Sequence, residues 1–159
     1  MRTTALVIAP LVVALSFAIV VRMIAAADVQ EGQNVSVGGR ASEATVWSGV
    51  FTAAQADRGG AVYAQSCANC HGGGLEGADM SPALAGAAFM ASWNDLTLGD
   101  LFERIRISMP ADRPGTLSRQ QMADVIAFVL RSNQFPAGAT ELPPEAPALR
   151  AMKFLMVKP

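Results

Sequence analysis

Apolar residues recur with a helical period in three separate stretches of the chain. In the second of them Leu98, Leu101, Phe102 and Ile105 stand at i, i+3, i+4 and i+7, one face of an amphipathic helix. Thr97 and Asp100 precede it with the spacing of a reciprocal N-terminal cap, and Arg104 and Arg106 near its end suit the negative pole of the helix dipole. The third stretch places Met122, Val125, Ile126, Val129 and Leu130 on a wide apolar face, opened by Ser118 with Gln121 and stopped at Asn133. The first begins at Thr52 with Gln55 as a further capping pair. It carries Ala56, Gly59 or Gly60, and Tyr63 on one side and ends at Cys67. No strand-like alternation of any length and no internal repeat appears, so the pattern predicts an all-α core over about residues 52–133.

The flanks behave differently. Residues 5–21 form an uncharged apolar run after Arg2, followed by Arg22 and the small triplet Ala25-Ala26-Ala27, the grammar of an export signal. The run is close to the ~20 residues that span a bilayer, so cleavage after Ala27 and retention as a single membrane anchor both stay open. Either places the remainder in the periplasm or on the periplasmic face of the inner membrane. Residues 28–46 are mostly rich in Gly, Ser, Asn and Gln, without apolar periodicity, and read as a flexible linker. Beyond Asn133, Pro136, Pro143, Pro144 and Pro147 forbid a long regular element, yet Phe135, Leu142, Leu149, Met152, Phe154 and Leu155 need burial. Residues 134–159 therefore read as an ordered irregular extension packed on a domain of residues 47–133.

With 159 residues the chain has room for one such domain and its appendages. The net charge of −1 becomes about −3 without Arg2 and Arg22, and no basic patch appears, which disfavours a nucleic-acid partner.

Both cysteines and the single histidine fall in one pentapeptide, Cys67-Ala68-Asn69-Cys70-His71. C-x-x-C-H is the attachment pattern of c-type haem: two thiols three positions apart on a helical turn reach the two vinyl groups of one porphyrin, and the next residue aims its imidazole at the iron. A thioredoxin-type dithiol would need a βαβ context, zinc would need further ligands, and a short disulfide would leave His71 idle. One haem c, held through Cys67 and Cys70, is the reading that uses all three residues.

An iron bound by His71 has a sixth position to fill, and methionine is the natural candidate where no second histidine exists. Eight methionines compete. Met1 and Met23 belong to the leader, Met152 and Met156 to the extension, Met80 is close to His71 in sequence, and Met122 lies on an apolar helix face. Met90 and Met109 remain, with Met109 preferred because Pro110 pushes it into extended backbone after a capped helix. Met90 and an open site stay as alternatives.

At this point the residues resemble the class I cytochrome c family. The resemblance runs from about Trp47 to Asn133 through Gly59-x-x-x-Tyr63-x-x-x-Cys67, the C-x-x-C-H motif, Pro82-x-Leu84, Met109-Pro110 and Val125-x-x-Phe128-Val129. It implies the cytochrome c fold, with three main helices around one haem, and iron ligation by His71 and Met109. It also implies that the first and last helices cross at Gly59 against Val125 and Phe128, with Tyr63 nearby. By the same resemblance the Pro82 carbonyl accepts a hydrogen bond from His71, a turn proline being the alternative; Trp93 either lines the haem pocket or reaches a propionate, or fills the core. Arg104 and Arg106 read first as a solvated helix face and second as propionate partners. The stretches 47–52 and 133–143 look similar to bacterial cytochromes that serve quinoprotein dehydrogenases. The function implied is a single-electron carrier, not an enzyme, between a dehydrogenase donor and an oxidase or another cytochrome. A subunit docked on a dehydrogenase, and a haem enzyme with an open sixth position, are the competing readings.

Overall fold

The computed structural model describes residues 44–159; the leader, and the linker as far as residue 43, lie outside them. Among the described residues the order is β1 (Ala44–Thr45), a 3-10 turn (Val46–Ser48), α1 (Ala53–Ser66), α2 (Ala68–His71), α3 (Ala87–Trp93), α4 (Leu98–Ser108), α5 (Arg119–Ser132), α6 (Ala146–Leu149) and β2 (Met152–Lys153). The helical class expected from the apolar pattern is the one observed. No helix among these residues is long and apolar enough to cross a membrane.

Each of the three long helices starts where a side chain can satisfy an orphan N–H. Thr97 and Asp100 exchange bonds reciprocally at α4, and Ser118 and Gln121 do so at α5. At α1 only half of the expected box forms. Thr52 accepts from the Gln55 N–H at 3.1 Å, but the Gln55 side chain turns inward and bonds both backbone groups of Leu142, donating to its carbonyl at 3.0 Å and accepting from its N–H at 2.8 Å. Gln55 is fully buried, so a long-range peptide outcompetes the local cap: two buried backbone groups left unpaired would cost about 1–3 kcal/mol each.

α1 and α5 cross at Gly59. A Cβ there would overlap the Asp124 carbonyl and stand 2.9 Å from Phe128 Cβ, so the missing side chain is what permits the approach. The nearest neighbours are thus Asp124 and the expected Phe128. Tyr63 packs on Phe128 with ring centroids 5.2 Å apart. The same crossing is tied at its rim by Arg58, which donates to both carboxylate oxygens of the buried Asp124 at 3.2 and 3.1 Å and to Glu141 at 2.8 Å. The bonds to Glu141 and then Asp124 hold the guanidinium above even its ordinary high pKa.

Residues 134–159 add a second layer to the helical core. Phe135, Leu142, Leu149 and Phe154 are buried, and α6 packs on α4 across Gly99, where a Cβ would run into Arg150 and the Ala146 carbonyl. The expected linker ends earlier than residue 46. Ala44 and Thr45 pair in parallel with Met152 and Lys153, and Thr45 and Val46 are buried. Their burial depends on a strand partner more than a hundred residues away, which no local pattern announces. The Trp47 indole then donates to the Leu155 carbonyl at 2.9 Å. From Trp47 a run of aromatic contacts leads inward through Phe135 (4.7 Å between centroids), Phe154 (5.3 Å), Phe89 (5.9 Å) and Trp93 (6.2 Å). Aromatic pairs of this kind add about 0.5–1.5 kcal/mol beyond area burial, so the extension buttresses α3.

Candidate functional site

α1 stops at Cys67, whose N–H still bonds Tyr63 at 2.8 Å while its own backbone (φ −127°, ψ −38°) breaks the helix and opens α2. The His71 N–H returns to the Cys67 carbonyl at 2.9 Å, so thiol, thiol and imidazole are spaced by one helical turn. Gly72 leaves that turn at φ +81°, a conformation side chains rarely adopt. Its carbonyl accepts from the Tyr63 hydroxyl at 2.6 Å. Burial first, then the neighbouring Cys67 and Glu76, pushes the Tyr63 pKa up to about 12, so the phenol stays a donor at neutral pH. The remaining glycines do not share this constraint alike: Gly77 is needed at φ +77°, where a Cβ would meet the 81–83 backbone, whereas Gly73 has open space around it.

His71 is buried, and its Nδ1 lies 2.8 Å from the Pro82 carbonyl oxygen. A carbonyl only accepts, so Nδ1 is the donor in this bond, and Nε2 is the ring nitrogen left for a metal. The ring is thereby oriented with one nitrogen engaged, the usual arrangement for a metal-binding imidazole.

Beside this ring opens a cavity of about 880 Å³. Its walls come from Cys67, Cys70 and His71, from the 80–84 loop, from Phe89 and Trp93 of α3, from Leu101, Arg104 and Ile105 of α4, from Met109 and the residues after it, and from Val125, Ile126 and Val129 of α5. The volume is that of a large organic ligand, and the lining is apolar with a few polar groups at the edge. Met109 reaches this wall from extended backbone (φ −126°, ψ 149°), as its position before Pro110 predicts, and is half-buried. Met80 also borders the cavity but is 96% exposed, and Met90 packs against the core without lining it. Of the arginines Arg104 borders the cavity, while Arg106 is taken by Glu103 at 2.7 Å. Burial, with Cys70 adding to it, pushes the Cys67 thiol above its ordinary pKa. A redox dithiol needs the opposite shift.

Asn133 was legible only as a helix stop. Its amide in fact joins three backbone groups from two segments, a role that a single polar residue at a helix end does not signal.

Residues 54–129 match the family model described as cytochrome C oxidase, cbb3-type, subunit III. A structural comparison finds similarity to the sulfane dehydrogenase SoxCD from Paracoccus pantotrophus, with 21% identity and a TM-score of 0.40, over 70% of this chain and 60% of that one. The chain therefore spans less than two thirds of that relative's length. No curated protein matches it. The helical fold and the C-x-x-C-H turn agree with the matched family model, so residues 54–129 are similar to c-type cytochrome domains, a family that carries covalently bound haem c.

Proposed function

We propose that the chain holds one haem c through thioethers from Cys67 and Cys70, with His71 and Met109 as the iron ligands, and passes single electrons between partner proteins on the periplasmic side. The residues fit the group. The cavity has the volume and apolar lining of a porphyrin site, both thiols and the imidazole stand on one wall of it, and a thioether reaches another. The observation that carries the reading is the His71 Nδ1 bond to Pro82, which orients the imidazole beside that cavity and leaves its other nitrogen as the one available to iron.

When bound, the group would supply a one-electron couple, and methionine together with histidine as its ligands would raise the potential. The protein's part is positional. His71 is oriented by its bond to Pro82, and Met109 is presented by the stretch after α4, so these two side chains would hold the iron from fixed positions. Leu101, Ile105, Val125 and Val129 keep water from the interior, while Cys70 and Met80 leave one edge of the site open to a partner. Arg104 and the Trp93 indole are among the donors on this lining that could serve carboxylates at the rim. Contacts made through such an edge are small and short-lived. The donor suits the dehydrogenase class that residues 47–52 and 133–143 resemble, with an oxidase or a second cytochrome as acceptor; the leader delivers the domain to the periplasm, released or anchored. Pyridine haemochrome spectroscopy combined with intact mass on periplasmic material tests this: one covalent haem per chain is expected, and protein that loses its pigment to acidified acetone refutes it.

A further inference from the structure

The carbonyl that orients His71 belongs to Pro82, an exposed residue without an N–H in the irregular stretch between Gly72 and Gly86. Whatever holds that stretch decides how firmly the imidazole proton is held. On the near side Ala78 and Ser81 bridge one another, at 3.0 and 2.6 Å, and the Leu84 N–H bonds the Leu75 carbonyl at 2.9 Å. The other anchor comes from the far end of the domain. Asn133, at the end of α5, donates through Nδ2 to the Leu84 carbonyl at 2.9 Å and accepts through Oδ1 from the Gly86 N–H at 2.9 Å. Its second Nδ2 proton goes to the Val129 carbonyl at 2.9 Å, and its backbone N–H to Val129 and Leu130 at 3.1 Å each.

A side chain ending a helix needs only the Val129 bond. The two bonds to Leu84 and Gly86 flank Ala85 and seize the segment that begins two residues after Pro82. Gly86 is also the residue preceding α3, which has no side-chain cap of its own and carries Phe89 and Trp93 on the cavity wall. Asn133 is 8% exposed; its bond to Val129 is buried and those to Leu84 and Gly86 are part-buried.

We infer that Asn133 is a positioning residue for the iron site: it clamps the Leu84–Gly86 segment to α5 and so keeps the Pro82 carbonyl on the His71 Nδ1 proton. The inference rests on the haem reading above. Outer hydrogen bonds to a ligating histidine set its orientation and donor strength, so loosening the clamp alters the ligand and not only the stability.

The experiment uses the matured holoprotein and three variants, Asn133→Ala, Asn133→Asp and Gln55→Ala. Gln55→Ala is the control, because it also removes a buried amide that pins a distant segment, but at Leu142. NMR of the reduced protein measures solvent exchange of the His71 Nδ1 proton, and a spectroelectrochemical titration measures the potential. Both Asn133 variants are expected to exchange that proton about tenfold faster, the ratio for one lost hydrogen bond, with a displaced potential. Gln55→Ala is expected to lose comparable stability with both readouts unchanged. Asn133→Asp is near-isosteric and keeps the acceptor toward Gly86, so it decides alone if Asn133→Ala does not mature. Unchanged exchange and potential in the Asn133 variants, or equal changes in Gln55→Ala, overturns the inference and leaves the haem reading standing. A colourless unmodified protein overturns both.

Discussion

Adding one methyl group at Gly59 tests the geometry on which the domain is built. Two adjacent glycines in α1 each cost about 1 kcal/mol of helix propensity relative to alanine, so Gly59→Ala and Gly60→Ala gain the same amount from the backbone. What they meet differs. At Gly60 the new Cβ would stand 3.2 and 3.3 Å from two Phe128 ring atoms, and a ring can give by a few tenths of an ångström. At Gly59 it would overlap the Asp124 carbonyl, which is backbone inside α5, and come within 2.9 Å of Phe128 Cβ. Overpacking costs about 1–3 kcal/mol where side chains adjust, and the upper end applies where two helices must separate. Subtracting the propensity gain leaves Gly59→Ala less stable by about 2 kcal/mol, whereas Gly60→Ala stays within about 1 kcal/mol of the parent. At about 4–8 °C per kcal/mol for a domain of this order, the first falls by at least ~8 °C in Tm. Guanidinium unfolding of the holoproteins followed by far-UV circular dichroism reads both. Equal midpoints for the two variants would show that the crossing point is elsewhere.

Replacing Met109 by Ala is expected to change the visible spectrum of the oxidised protein and lower its reduction potential, while Met90→Ala leaves both unchanged; spectroelectrochemistry checks the pair. The double change Cys67→Ala, Cys70→Ala should yield protein without covalent haem and with a largely unfolded far-UV spectrum, because a domain of this size has little apolar reserve without its staple. Gln55→Leu leaves the N–H and C=O of Leu142 buried and unpaired, an expected loss of about 2–4 kcal/mol by denaturant midpoint. Asp100 is held below the ordinary 3.8, chiefly by the Thr97 hydroxyl and then by the Thr97 N–H. A folded value below the unfolded one means that its stabilisation is complete above the unfolded pKa and vanishes as pH falls through the folded one. Asp100→Asn should therefore flatten the loss of stability below about pH 4 in acid titrations followed by circular dichroism.

Local rules carried the sequence reading a long way. Thr97 with Asp100 and Ser118 with Gln121 mark their helices because both partners of each cap lie within one turn, and a bond three residues long forms whatever the rest of the chain does. The same holds for Cys67, Cys70 and His71, whose mutual spacing is a property of a single helical turn, and for Met109, whose extended backbone follows from the ring of Pro110. The all-α class followed from apolar periodicity alone. Tertiary structure decided everything that required a partner remote in the chain. Gln55 abandoned its cap for Leu142, Ala44 and Thr45 left the linker to pair with Met152 and Lys153, and Gly59 came closest to the Asp124 carbonyl. α3 has no side-chain cap of its own, and the Gly86 N–H at its start is held by Asn133 from the end of α5. Short-range hydrogen bonds are written in residue spacing, whereas the partner of a buried amide is chosen by the path of the whole chain once the core has closed around it.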